Sequence, residues 1–208
     1  MLTVNLILVG VIGYLLGSAN ASLIVGKFYG VDVRNHGSGN AGATNTLRTL
    51  GKTAAAIVSL SDVLKGVIAC LIGLFLIGEI EGIGTLGLMV GGITAIIGHN
   101  WPVFFRFKGG KGIFTSFAVV LMMDWKIGLM LLGVFIIVVA LTKYVSLGSI
   151  IGSGLFPIVS AIPSFNKSLV FIVFAAILAF LAIYRHRSNI QRIINGTESK
   201  LGSKKAKN

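Results

Sequence analysis

Seven apolar stretches follow one another along this chain, and most are long enough to cross a lipid bilayer. They predict transmembrane helices at about residues 3–26, 54–78, 82–100, 112–124, 126–142, 145–163 and 167–185. A spanning helix needs about 20 apolar residues, because the hydrocarbon core has no water to hydrogen-bond a free backbone. The fourth stretch is short, so we expect it to be tilted or to start below the surface. The sequence predicts an all-α integral membrane protein with about seven transmembrane helices.

The composition agrees with this class. Hydrophobic residues make up 55% of the chain and charged residues only 12%, which excludes an ordinary soluble domain. The first apolar stretch lacks a basic leader and a small-residue cleavage site, so we expect a retained helix. The single cysteine, Cys70, excludes a disulfide framework and a cysteine-based zinc site.

The positive charges predict the orientation in the membrane. A net charge of +12 would suggest a nucleic-acid partner in a soluble protein, but in a membrane protein the positive-inside rule is the better explanation. Fifteen of the 18 lysines and arginines fall on one side of the seven-span order, whereas Lys126 and Lys167 fall on the other. We therefore expect the N-terminus outside and the C-terminus in the cytoplasm. Residues 1–198 are predicted to form one multi-pass domain, and 199–208 a basic, mobile cytoplasmic tail attracted to membrane lipid.

Polar, glycine-rich segments all open onto the cation-rich side. They are residues 34–48, 98–112, 143–149 and 185–198, and they include all three histidines. A transporter more often places its polar groups near the middle of the membrane, in broken helices. Polar segments that converge at one surface indicate an active site at the boundary between membrane and cytoplasm.

The run from Lys108 to Gly112 has the composition of a phosphate-binding loop. Its glycines let backbone N–H groups approach an anion, and its two lysines add positive charge. If Ile113 opens a helix, the free N–H groups of that helix add further attraction. The spacing is not that of a Walker A loop. A turn that carries only topology-anchoring lysines is the alternative interpretation.

The segment 34–48 is a second candidate anion site. Glycines alternate there with short hydroxyl and amide side chains, and Arg48 could grip a phosphate through its planar guanidinium. A flexible turn is the alternative, and Arg34 is expected to anchor the topology. In the second apolar stretch, Asp62 and Lys65 share one helix face, which predicts a buried ion pair. Ile190, Ile193 and Ile194 predict a short interfacial helix that ends near Gly196.

Four motifs resemble those of the bacterial acyl-phosphate:glycerol-3-phosphate acyltransferases. They read GSGNAGATNTLR, GHNWPVFFRFKGGKG, YVSLGSI and HRSNIQRIINGTE, and the likeness runs from Gly17 to Glu198. It implies an enzyme of the bacterial plasma (inner) membrane whose active site faces the cytoplasm. The implied reaction moves an acyl group from acyl phosphate to the sn-1 hydroxyl of glycerol 3-phosphate, without metal or other cofactor. The enzyme that produces acyl phosphate is an implied partner, and no nucleic-acid partner is expected.

The resemblance also implies roles for individual residues. Those expected to bind glycerol 3-phosphate are Ser38, Gly39, Asn40, Thr44, Asn45 and Arg48. Those expected to bind acyl phosphate are Lys108, Gly109, Gly110, Lys111 and Gly112. Ser146, His186 and Asn189 are expected to complete a polar catalytic pocket, with His186 the leading candidate to polarise the attacking hydroxyl. His99 and Glu198 are assigned to the site or to its support, and an orienting role is favoured for His99.

The chain departs from the resembled pattern at a few positions. Ala19-Asn20 stands where Ile-Pro is frequent, so no specific role is expected for these two residues; Trp101 and Ser188 also differ. A membrane transporter of a phosphorylated small molecule remains the alternative function.

The charge distribution generates a testable prediction about topology. Cysteines introduced at Asn35 and Ser203 should be labelled only from the cytoplasmic side, and one introduced at Gly82 only from outside. Labelling of intact cells and of inverted vesicles with a membrane-impermeant thiol reagent measures this. Asn35 and Gly82 on the same side would contradict the seven-span order.

Overall fold

The computed structural model describes residues 1–78 and 85–202, and every regular element within those residues is helical. The chain divides into two compact units, Met1–Trp125 and Lys126–Asn208, which are described one at a time. The expected all-α class is therefore confirmed. Residues 82–84 of the third predicted span and residues 203–208 of the predicted tail lie outside the described residues.

Six α-helices make up the described part of the first unit. They are α1 (Leu2–Ser18), α2 (Ala21–Phe28), α3 (Ala43–Leu50), α4 (Lys52–Ile77), α5 (Leu86–Asn100) and α6 (Ile113–Met123). Short 3-10 turns lie at Val33–Asn35 and Val103–Phe105. In the second unit, α7 (Trp125–Thr142), α8 (Val145–Ser160) and α9 (Leu169–Arg185) are followed by the short helix α10 (Arg187–Ile194).

Length and apolar composition allow four helical segments to cross a membrane. These are Leu2–Phe28, Lys52–Ile77, Leu86–Phe105 and Trp125–Thr142, with a fifth if α9 and α10, bent by 58°, count as one. The helices α6 and α8 are apolar but shorter. Within the described residues, each of the seven predicted stretches contains apolar helix, and the number of helices that cross the membrane stays a prediction.

The first predicted span is interrupted. Residues 3–26 were expected to form one helix, whereas the structure breaks it between α1 and α2. Asn20 causes the break locally, because its side-chain oxygen accepts the N–H of Leu23 at 3.1 Å and caps the start of α2. Asn20 is also fully buried. The sequence assigned no specific role to this residue, but the structure gives it one as the N-cap of α2.

Other elements differ less from the expectations. The polar segment 34–48 is not a loop throughout, since its second half forms α3. The prediction that Ile113 opens a helix is confirmed, and Gly112 before it has φ +71°. The predicted short helix after the last span is confirmed as α10, and Gly196 just beyond it has φ +68°.

Glycines bring the backbones of α1, α4 and α5 into direct contact. A β-carbon at Gly17 would overlap the carbonyl group of Ala95, and one at Gly98 would overlap the carbonyl oxygen of Tyr14. Gly91 faces the carbonyl group of Ala69 on α4 in the same way. In lipid, where apolar burial does not drive helices together, small residues permit this close packing. The contact at Gly98 places the end of α5 beside the break between α1 and α2.

This packing predicts the effect of a single methyl group. Gly91→Ala should lower the free energy of unfolding of the detergent-purified protein by about 1–3 kcal/mol, because the added methyl group meets the α4 backbone. The melting temperature should fall accordingly. Gly133→Ala is the matched control, since nothing lies within 4 Å of its β-carbon position. Equal melting temperatures for the two variants would contradict the packing argument.

Candidate active site

The first glycine-rich segment is organised from within by Asn45. Its side-chain oxygen accepts the N–H of Ser38 at 2.8 Å, and its amide nitrogen donates to the carbonyls of Val33 at 2.8 Å and His36 at 3.0 Å. Asn45 is 1% exposed. It therefore holds the turn of residues 36–42 against α3, and any contact of its side chain with substrate stays a prediction.

The other residues of this segment lie nearer the surface. Gly39 and Arg48 are exposed, and Ser38, Asn40 and Thr44 are partly exposed. Gly39 has φ +73°, a conformation that side chains with a β-carbon rarely adopt. The turn thus presents a hydroxyl, an amide and a guanidinium on one short stretch of backbone and helix.

The second glycine-rich segment folds back onto the end of α5. Phe107 N–H donates to the carbonyl of Pro102 at 2.9 Å, and Gly110 N–H donates to that of His99 at 3.1 Å. Arg106 and Phe107 both have positive φ, 55° and 58°, although neither is glycine. Such strained residues persist where the surrounding structure fixes them, and they are frequent at ligand-binding loops.

The glycines at 109 and 110 are required by the protein's own packing. A β-carbon at Gly109 would overlap the carbonyl oxygen of His99. At Gly110 it would overlap the His99 Nε2 atom and the carbonyl oxygen of Ala41. Gly110 therefore lies where the second segment meets the first. Lys108 beside it is exposed and Lys111 is partly buried.

Arg34 joins the two segments as well. It forms an ion pair with Asp32, 2.7 Å between Nη2 and Oδ2, and its Nη1 donates to the carbonyls of Phe105 and Lys108, both at 3.4 Å. The guanidinium hydrogen bond lowers the pKa of the Asp32 carboxyl below its ordinary value. Sequence reasoning treated Arg34 as a topology anchor and missed this bridging role, because the loop carbonyls that it contacts are distant in sequence.

The predicted ion pair of α4 is confirmed and has a third member. Asp62 Oδ1 lies 2.8 Å from Lys65 Nζ, and His99 Nδ1 lies 2.8 Å from the same nitrogen. Lys65 Nζ also donates to the carbonyls of Gly17 at 3.2 Å and Ala19 at 3.4 Å, at the break between α1 and α2. His99 is thus held from α4, and its orienting role stays a prediction.

In the second unit, Glu198 gathers the predicted polar residues. Its Oε1 accepts the hydroxyl of Ser146 at 2.8 Å and the amide of Asn189 at 2.7 Å, and its Oε2 accepts Arg192 Nε at 2.7 Å. Its side chain is 5% exposed. Burial alone would raise the pKa of Glu198, but these hydrogen bonds and the charge of Arg192 together lower it below its ordinary value. Glu198 is therefore a carboxylate that orients its neighbours.

His186 lies at the junction of α9 and α10 and is 2% exposed. Its Nδ1 is 2.8 Å from the carbonyl oxygen of Ala182. A carbonyl oxygen can only accept, so Nδ1 carries a proton, and in the neutral ring Nε2 carries the lone pair. The neutral ring is therefore the Nδ1–H tautomer, whose Nε2 can accept a proton.

The Glu198 network predicts a pH-dependent stability. Since the native pKa is lowered, the carboxylate stabilises the fold fully above the ordinary pKa of a glutamic acid, about 4.3, and less as pH falls through the native value. Glu198→Gln should lower the stability at pH 7 by about 1–3 kcal/mol, and its difference from wild type should shrink on acidification. Melting curves across this pH range, with the exposed neighbour variant Thr197→Ala as control, measure the effect. A Glu198→Gln deficit that is constant with pH would contradict it.

Known proteins resemble this chain along most of its length. Residues 7–196 match the family described as glycerol-3-phosphate acyltransferase. A glycerol-3-phosphate acyltransferase of Thermoanaerobacter sp. (strain X514) is 53% identical over 199 residues, which cover 95% of this chain and 96% of the relative. One of Clostridioides difficile (strain 630) is 50% identical over 204 residues, covering 96% and 97%.

Two solved structures share the fold. The crystal structure of PlsY (YgiH), an integral membrane glycerol 3-phosphate acyltransferase, in its glycerol 3-phosphate form gives a TM-score of 0.84 at 36% identity, covering 95% of this chain and 96% of that one. The lysophosphatidic acid form gives 0.83 at 34% identity, covering 95% of each. The family match along nearly the whole sequence and relatives of this similarity show that the chain belongs to the glycerol-3-phosphate acyltransferase family.

Proposed function

We propose that this protein transfers an acyl group from acyl phosphate to the sn-1 hydroxyl of glycerol 3-phosphate, the first acylation of phospholipid synthesis. The observation that carries this proposal is the junction of two glycine-rich, cationic segments at Gly110 and Ala41. Both proposed substrates carry phosphate, and two such segments provide a place for each. The solved PlsY structures with glycerol 3-phosphate and lysophosphatidic acid support the acceptor and the product.

The proposed reaction is a single acyl transfer. The sn-1 hydroxyl oxygen attacks the acyl carbonyl carbon, the bond from that carbon to the phosphate oxygen breaks, and phosphate leaves with the electron pair. The hydroxyl proton passes to Nε2 of His186, whose Nδ1–H is engaged with Ala182. An acyl phosphate is an activated mixed anhydride, so positioning and charge stabilisation carry most of the catalysis. No metal or other cofactor is required by this chemistry.

We assign the acceptor and the donor to different segments. Ser38, Gly39, Asn40, Thr44, Asn45 and Arg48 bind glycerol 3-phosphate, and Lys108, Gly109, Gly110, Lys111 and Gly112 bind acyl phosphate. Support for the first assignment comes from the hydroxyl, amide and guanidinium groups around the 36–42 turn. Support for the second comes from the strained backbone at 106–107 and the cations beside it. We also assign catalytic roles to Ser146 and Asn189, which Glu198 holds by hydrogen bonds.

We place the protein in the bacterial plasma membrane with seven spans, its N-terminus outside and its active site on the cytoplasmic side. Residues 1–198 are the catalytic domain, and 199–208 form the basic tail. The distribution of lysines and arginines supports this orientation. Acyl phosphate is then delivered from the cytoplasm, where the enzyme that makes it is the natural partner.

One incubation tests the function. Purified protein in detergent is mixed with glycerol 3-phosphate and one acyl donor: acyl phosphate, acyl coenzyme A or acylated acyl carrier protein. We expect lysophosphatidic acid with acyl phosphate alone. Uptake of a phosphorylated compound into sealed proteoliposomes, without an acylated product, would instead support the transporter.

If Arg48 binds the phosphate of glycerol 3-phosphate, the shape of its guanidinium should matter as well as its charge. Arg48→Lys keeps the charge but loses the two-pronged hydrogen bond, and removing such a bond costs on the order of 1.5–3 kcal/mol, or roughly ten- to a hundredfold in kcat/KM. Arg48→Ala should be more impaired, and the deficit should appear when glycerol 3-phosphate is varied. Lys52→Ala, an exposed cation four positions along, is the matched control. Normal rates in Arg48→Ala would exclude the assignment.

A further inference from the structure

A buried charged cluster in the first unit is not used by the proposed reaction. It consists of Asp62 and Lys65 on α4 and His99 on α5, which are 2%, 7% and 2% exposed. Charged groups inside a membrane protein are costly to bury, and they are usually paired or functional. An ion pair that only orients α4 would need no histidine, so the position of His99 in the cluster calls for a separate explanation.

Two charged side chains lie beside Nδ1 of His99, and the nearer one is Lys65. A charged ammonium group has three hydrogens and no lone pair, so the contact of 2.8 Å between Lys65 Nζ and His99 Nδ1 is a hydrogen bond only when Nδ1 accepts. A protonated Nδ1 would instead turn its hydrogen toward Asp62 Oδ1, at 3.3 Å, and Lys65 would lose this acceptor. Asp62 Oδ1 lies 3.3 Å from Nδ1 and 2.8 Å from Lys65 Nζ, so it pairs with the lysine. The shorter contact with Lys65 favours a neutral His99 with its proton on Nε2.

The Nε2 edge of His99 lies at the junction of the two glycine-rich segments. Gly110 packs against Nε2 and against the carbonyl oxygen of Ala41 so closely that neither leaves room for a β-carbon. Gly110 N–H also donates to the carbonyl of His99. The carbonyl of Ala41 is in turn 3.4 Å from the side-chain amide of Asn20, at the start of α2.

The cluster thus connects the membrane helices to both segments. Lys65 contacts the carbonyls of Gly17 and Ala19 before α2, and His99 carries the connection to Gly110. Rotation of the His99 ring would remove the surface on which Gly110 is packed. Because Lys65 fixes one ring nitrogen, it also fixes the orientation of the other.

We propose that Asp62 and Lys65 are positioning residues that hold His99 as the Nε2–H tautomer and thereby hold residues 108–112 in their phosphate-binding conformation. The identity of the ligand, acyl phosphate, rests on the proposed function. The tautomer of His99 does not depend on the proposed function. The positioning proposal and the proposed function can therefore fail separately.

The first test uses the wild-type protein and needs no activity. The chain has three histidines, His36, His99 and His186, so ¹⁵N-histidine labelling in detergent micelles gives a small set of ring signals, assigned with His36→Gln and His99→Gln. We expect His99 to be protonated at Nε2 and His186 at Nδ1, where Ala182 accepts. A proton on Nδ1 of His99 would overturn the proposal.

The second test separates positioning from folding. In Lys65→Met, we expect the His99 proton to move to Nδ1, facing Asp62, and KM for acyl phosphate to rise about tenfold with kcat changed less than about threefold. The double variant Asp62→Leu/Lys65→Met removes both buried charges, and such replacements are often neutral for stability. It should melt near the wild-type temperature and still show the raised KM.

Cys70→Ala is the matched control for α4. Cys70 is fully buried on the same helix, and its Sγ lies 3.7 Å from the carbonyl oxygen of Leu88 on α5. We expect this variant to lose stability while KM and the His99 signals stay unchanged. A normal KM in the stable double variant would show that the cluster only supports the fold, and it would overturn the proposal.

Discussion

The close contact between the backbones of α1 and α5 is the constraint on which the first unit depends. Gly17 and Gly98 allow it, because each faces a carbonyl group of the other helix with no space for a side chain. This contact brings the end of α5 to the break after α1. The second glycine-rich segment leaves α5 at this point and folds back onto it, so its position follows from helix packing. A loop rich in glycine is thereby given a fixed conformation by the rigid helices beneath it.

The second unit uses a different device. One carboxylate, Glu198, accepts from Ser146, Asn189 and Arg192, which come from α8 and α10. Buried polar groups without partners would be costly, and a carboxylate with two oxygens satisfies three donors at once. Asn189 and Ser146 are oriented by this carboxylate, and the histidine of the same segment is oriented by a backbone carbonyl. Close backbone packing joins the helices of the first unit, and hydrogen bonds to one carboxylate hold the polar cluster of the second.

Sequence patterns predicted the elements that depend on neighbouring residues. The apolar stretches, the helix after the last span and the pairing of Asp62 with Lys65 follow from helical spacing and hydrophobicity. His99 as a third member could not be predicted, because its contact with Lys65 depends on how α4 and α5 pack. The bridging role of Arg34 was not predicted either, because the carbonyls of Phe105 and Lys108 are distant from it in sequence. Asn20 was missed although a signal existed, since asparagine before an apolar helical run is a typical N-cap.

Glu198 also has a consequence for the order in which the enzyme can mature. It follows α7, α8, α9 and α10 in sequence, yet Ser146, 52 positions earlier, depends on it for a hydrogen-bond partner. Leu201 N–H likewise donates to the carbonyl of Lys143, at the start of the turn before α8. Helices that enter the membrane during synthesis therefore wait with an unfinished polar cluster until this segment leaves the ribosome. A chain interrupted before Glu198 would carry every apolar helix described here and still lack an ordered polar cluster in its second unit.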